Sequence, residues 1–158
     1  MPEHAAITRF REEHARLGGA GEVVILPESV HTAALAAEAL GCEVGAIANS
    51  LVFDDHGSPL LILTSGAHRV ETVATAERVA AGSLGRADAE FVRRHTGQVI
   101  GGVSPLGHPA PVPTFVDTWL QRHPVVWAAA GHPAAVFSTT YAELVALTGA
   151  TPVDVTAG

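Results

Sequence analysis

The sequence predicts a mixed α/β fold, with a largely antiparallel central sheet flanked by helices in one domain over residues 1–158. Three observations carry this expectation. Short β-branched runs alternate with Ala- and Leu-rich stretches of helical period, which interleaves strands with helices. Apolar runs separated only by turn formers mark several hairpins, so the sheet is mixed rather than purely parallel. The chain is 158 residues long, 47% hydrophobic and 16% charged, which suits one compact core. Its single cysteine, Cys42, excludes an internal disulfide and a four-cysteine zinc site, so apolar burial must hold that core.

The elements follow in order. Ile7, Phe10, His14 and Leu17 recur at spacings of three and four, on one face of a helix that Gly18-Gly19 stops. Residues 22–26 form a short strand ended by Pro27. Thr32 is placed to cap a helix over 33–40, closed by Gly41. Residues 50–53 and 60–63 flank the turn formers 54–59 as a hairpin, and 75–80 make one or two helical turns. Asp88 caps a helix over 89–95 that Gly97 ends. Residues 98–103 read as a buried strand running into Ser104-Pro105-Leu106-Gly107-His108, with Pro109, Pro111 and Pro113 beyond. That irregular stretch is where a site is expected. Strands over 125–127 and 135–137 meet across Gly131-His132-Pro133. Thr140 and Glu143 have capping-box spacing for a last helix that stops at Gly149.

Charge narrows the partners. Nine basic residues against 16 acidic ones give a net charge of -7, which argues against a broad phosphate-binding face but leaves room for a local contact at a nucleic-acid end. All nine basic residues are Arg; there is no Lys. No apolar stretch reaches the roughly 18 residues of a membrane span, and the N-terminus lacks a signal-peptide core, so a cytoplasmic protein is expected.

Several chemistries fail on pattern. The nine His are scattered singly with no His-Glu-x-x-His run, so neither metal nor cofactor is expected. Ser104 lacks the second glycine of a nucleophile elbow, and Pro105 is a poor start for that turn. Gly101, Gly102 and Gly107 match no dinucleotide or Walker loop. Two readings of Gly101-Gly102 stay open: a tight turn after a strand, or a place where backbone N–H groups approach a ligand oxygen while Pro105 stiffens the loop. Trp119 and Trp127 read as core or interface aromatics rather than a base-stacking platform, and Cys42 as a packing residue.

The order of motifs is more specific than any of them singly. His31-Thr32-Ala33, Leu40-Gly41, the run from Ile47 to Phe53, Ser65-Gly66, Thr96-Gly97, the run from Gly101 to His108, the run from Trp127 to Gly131 and the run from Leu147 to Ala150 resemble the YbaK/prolyl-tRNA-synthetase-associated domain family, over about residues 23–154. The resemblance implies a mixed α/β domain that hydrolyses the ester of mischarged tRNA bearing a small amino acid such as Ala, Cys, Ser or Thr, without metal. It implies aminoacyl-tRNA, met at its acceptor end, as partner, with an aminoacyl-tRNA synthetase as a second. A family Gly-x-x-x-Pro loop falls on Gly101 to Pro105 and would present backbone amides to the aminoacyl group.

One position departs from the family. The Lys that members carry before the Ser-Leu-Val-Phe strand is Asn49 here, which can hydrogen-bond but supplies no Coulomb attraction, about 1–4 kcal/mol at surface-like dielectric. The alternative to a deacylase is therefore a catalytically silent module that binds aminoacyl-tRNA or a small ligand. The expected catalytic residues are Asn49, Gly101 and Gly102. The expected substrate-binding residues are Thr32, Ser50, Arg69, Val103, Ser104, Pro105, Gly107, His108 and Asp117. Several have structural readings beside the functional one: Thr32 as a helix cap, Ser50 as a strand residue, His108 as a contact to the proline run, and Arg69 as a surface cation.

Overall fold

A computed structural model describes residues 3–158; the first two positions of the expected domain lie outside them. In chain order the elements are α1 (Ala5–Arg16), β1 (Val23–Ile25), α2 (Ala33–Leu40), β2 (Ile47–Asp55), β3 (Ser58–Ser65), α3 (Thr72–Arg78), β4 (Gly85–Arg86), α4 (Ala89–Thr96), β5 (Thr114–Asp117), β6 (Val126–His132), β7 (Ala135–Thr139), α5 (Tyr141–Thr148) and β8 (Thr151–Val153). Short 3-10 turns cover Val44–Ala46 and Thr118–Arg122. Among the described residues no helix is long and apolar enough to cross a membrane.

The helix ends obey local chemistry. Thr32 Oγ1 accepts the Leu35 N–H at 3.2 Å, Asp88 Oδ1 that of Phe91 at 2.8 Å, and Thr140 Oγ1 that of Glu143 at 3.1 Å. α3 starts earlier than its apolar pattern suggests because the Glu71 carboxylate caps it through the Ala74 N–H at 2.7 Å. The β2–β3 turn is tighter than expected, only His56 and Gly57, both at positive φ (48° and 94°). Asp54 Oδ1 secures it by accepting the Gly57 N–H at 2.6 Å.

Among the described residues eight strands form one mixed sheet in the order β1-β7-β6-β2-β3-β5-β8, with β4 against β2. β1/β7, β2/β3, β2/β4 and β6/β7 are antiparallel; β2/β6, β3/β5 and β5/β8 are parallel. β3 is buried on both faces, which is why it reads as an unbroken apolar run. Leu61 and Leu63 join Val116, Val126, Phe137 and the Ile7 and Phe10 stripe of α1 on one side. Leu60 and Ile62 join Ala76, Leu84 and Val155 on the other. Ala36 and Ala37 of α2 cover Ile47 beside that second cluster.

The strand expected over 98–103 is not formed. The segment folds as a turn in which the Gly102 N–H donates to the Val99 carbonyl at 2.9 Å and Gly101 takes φ 89°. The Gln98 side chain fastens it, accepting the Ser104 N–H at 2.6 Å and donating to the Leu106 carbonyl at 3.3 Å. Two adjacent glycines make that turn cheap, whereas a strand would leave them with no side chains to pack. The missing strand is supplied instead by β5, beyond the prolines.

One irregularity of the sheet builds the site. β2 and β6 are paired only at Ile47/Trp127 and Ala48/Ala128, after which β6 bulges between Ala129 and His132, with Gly131 at φ 94°. β4 takes up the same edge of β2 only at Phe53 and Asp54. Residues 49–52 therefore have no strand neighbour on that edge among the described residues, and a slot opens through the sheet.

Candidate active site

The slot leads into a small cleft of about 40 Å³ that opens to solvent. Its walls come from α2 and its approach (His31, Thr32, Ala33, Ala36), from β2 (Ala48, Asn49, Ser50), from β6, β7 and the turn between them (Trp127, Ala128, Ala129, Pro133, Val136), and from Gly101 and Val103 of the 98–108 loop. It is mostly apolar, with a few polar groups at its rim.

Strand alternation sorts those polar groups. Ser50 shares a face with Ala48 and Val52, which pack with Leu106, so it looks to the side of the 98–108 loop. Asn49 shares the opposite face with Ile47, on the α2 side, and is exposed. The Ser50 hydroxyl is buried and has no hydrogen-bond partner. The Gly101 and Val103 amides donate to no protein acceptor among the described residues, whereas those of Gly102, Ser104 and Leu106 are engaged inside the loop.

Of the residues expected at a site, Thr32, Asn49, Ser50, Gly101 and Val103 come together at the cleft. Thr32 does so while also capping α2. The others lie elsewhere. Gly102 is a packing glycine: a Cβ there would sit 2.7 Å from Pro133 Cδ and 2.8 Å from the His132 carbonyl carbon, and its N–H is already committed to Val99. Ser104 is 1% exposed; its hydroxyl donates to the Leu106 carbonyl at 2.6 Å, and its own carbonyl accepts from His108 Nε2 at 2.9 Å. Ser104 and His108 thus brace the loop from within, with Pro105 buried beside them. Burial holds the His108 imidazole below its ordinary pKa, opposed by its bond to the Ser104 carbonyl.

Gly107 faces α1, where Glu13 would be 3.9 Å from its Cβ, and borders a separate small pocket with Arg9, Gln98 and Ser104. Asp117 is 1% exposed. It accepts from the Ser65 N–H (3.1 Å), the Trp119 N–H (3.0 Å) and His68 Nδ1 (2.7 Å), across β3 from the cleft. Arg69 is exposed on the loop after β3.

The structure adds residues that sequence reasoning had not placed at a site. His31 Nδ1 lies 3.1 Å from where a Gly101 Cβ would be. The imidazole of His132, in the bulge, is held below its ordinary pKa by burial and by the fields of His4 and His31. His31 stands in the His31-Thr32-Ala33 run, but no local signal couples it to residue 101. Trp127 and the alanines of β6 read as ordinary strand residues until β2 diverges from them. Among the described residues no group of three or more His, Cys, Asp or Glu is arranged to hold a metal ion.

Comparison with known proteins agrees with this architecture. The family model described as an aminoacyl-tRNA editing domain matches residues 27–147. A structure described as that of a candidate trans-editing enzyme for prolyl-tRNA synthetase is 42% identical, with TM-score 0.91 over 99% of this chain and 100% of that one. A chain solved in work on grafting epitope backbones onto scaffold proteins is 39% identical, with TM-score 0.91 over 99% of this chain and 100% of that one. The hypothetical protein APE2540 is 28% identical, with TM-score 0.83 over 93% of this chain and 98% of that one. A search of curated proteins gave no match. With a family match running from the approach to α2 into the last helix, and a fold shared with its relatives end to end, the chain belongs to the aminoacyl-tRNA editing domain family.

Proposed function

We propose that the protein is a trans-acting deacylase that hydrolyses the ester of tRNA mischarged with a small amino acid such as Ala, Cys, Ser or Thr. It would act as one domain over 1–158, in the cytoplasm, behind a synthetase whose pocket discriminates poorly among small side chains. The observation that carries the reading is the slot between β2 and β6, with Gly101 at its rim and unspent amides beside it. Water adds to the ester carbonyl carbon, the Gly101 and Val103 N–H groups receive the developing oxyanion, and the ribose oxygen leaves with a proton. Asn49 orients the carbonyl or the water through its amide. The alanine-lined walls limit the size of the aminoacyl side chain.

The Asn49 substitution favours a second reading, a silent module that binds the aminoacyl end without turning it over. A deacylation screen over tRNAs charged with Ala, Cys, Ser, Thr and Pro separates the two. Release of amino acid above the uncatalysed rate for at least one of them supports the deacylase. Saturable binding with no release supports the module. In either case the net charge of -7 confines contact to the acceptor end, and affinity falls only shallowly with salt.

A further inference from the structure

At the end of the sheet where β3 and β5 finish, three side chains form a stack. Trp119 lies on the 3-10 turn after β5, with the Arg122 guanidinium carbon 3.0 Å from its ring centroid. The His68 ring packs against it at 4.8 Å between centroids. Asp117, buried below, holds both parts in register: Oδ1 accepts the Trp119 N–H at 3.0 Å and Oδ2 bonds His68 Nδ1 at 2.7 Å. Trp119 is nevertheless 37% exposed, and Arg122 is exposed.

Arg122 gives the stack a solvent-facing cation of its own. Arg122 and Arg69, the residue after His68, are exposed and have no carboxylate partner among the described residues, a state shared by Arg9, Arg86, Arg93 and Arg94. Three carboxylates stand nearby: Asp117 buried beneath the stack, Glu43 3.6 Å from His123, and Asp154 paired with Arg78. A guanidinium seated over an indole and open to solvent offers a plane and hydrogen-bond donors, and nucleobases stack on such planes.

The stack also lies within reach of the cleft. A Cβ on Gly66 would be 2.8 Å from that of Ala33, a cleft residue, and His68 follows two residues later, at most about 7 Å of chain.

We propose that Arg122, supported by Trp119, is a stacking platform for a nucleobase of the single-stranded acceptor end of tRNA, with Arg69 as the adjoining phosphate contact. This rests on the deacylase reading for its choice of RNA, but binding tests it independently of turnover. The probe is a fluorescent hairpin RNA with a single-stranded 3′ CCA overhang, compared with the same hairpin blunt-ended, by fluorescence anisotropy. Trp119→Ala and Arg122→Lys should each weaken overhang binding by about tenfold or more, because lysine keeps the charge but loses the plane. Trp119→Phe should restore most of it. Blunt-hairpin binding should not change.

Wild-type affinity in the Arg122→Lys variant, equal weakening on both hairpins, or no wild-type preference for the overhang overturns the platform. Selective overhang binding by a protein that hydrolyses no charged tRNA keeps the platform and removes the deacylase. Hydrolysis of charged tRNA with the variants binding like wild type does the reverse.

Discussion

His31 stands over Gly101, its Nδ1 3.1 Å from the point a Cβ would occupy there, so two segments separated by seventy residues of chain meet at the rim of one cleft. Gly101 is at φ 89°, and any L side chain there is strained as well as crowded. Because His31 is exposed and can swing away, the backbone term dominates. Gly101→Val should cost about 1–2 kcal/mol of stability and reduce ester hydrolysis by about a hundredfold or more. Thermal melts and deacylation rates on the same preparation check both. Unchanged hydrolysis in a folded Gly101→Val protein would take the loop out of the mechanism.

The Ser50 hydroxyl is buried without a partner, on the loop side of the slot. Removing such a group returns its desolvation cost, so Ser50→Ala should leave stability unchanged or raise it by up to about 1 kcal/mol. If the hydroxyl serves substrate, turnover should fall in the same variant. A variant equally active and equally stable would make Ser50 a bystander.

Asn49 is exposed, and exchanging it should move stability by no more than about 0.5 kcal/mol. Under the deacylase reading Asn49→Lys should lose activity, since the shorter amide would already be fitted to the carbonyl or water. A large gain on the screened tRNAs would instead identify a silenced enzyme.

Burial keeps the His108 imidazole below its ordinary pKa while Nε2–H donates to the Ser104 carbonyl. The unfolded chain takes up a proton near pH 6.5, before the folded protein does. This contribution is therefore fully present above about pH 6.5 and is lost as pH falls toward the lower folded value. His132, displaced in the same direction, adds to the slope. Melting temperatures recorded from neutral to mildly acidic pH should fall for wild type and fall less for His108→Gln. Parallel curves would assign the slope to other groups.

Local chemistry was written plainly in the chain. The Thr32, Asp88 and Thr140 caps, the Gly41, Gly97 and Gly149 stops and the β2–β3 apolar runs all act within a few residues, so spacing alone reveals them. The motif order from His31 to Ala150 carried the family as well. The 98–103 segment misled because Val99 and Ile100 suggest burial, yet they are 40% and 53% exposed on a turn set by Gly101, Gly102 and the Gln98 side chain.

Tertiary structure alone decided which of the conspicuous residues share a cavity. Asn49 and Gly101 line the cleft beside the point where β2 and β6 stop pairing; Gly102, one residue on, is pressed against Pro133. Asp117 looked like a ligand group but lies under Trp119 as a buried acceptor. Helix caps and turns depend on energies local to the chain. A cleft depends on where two strands stop pairing, and that is set by packing between segments far apart in sequence.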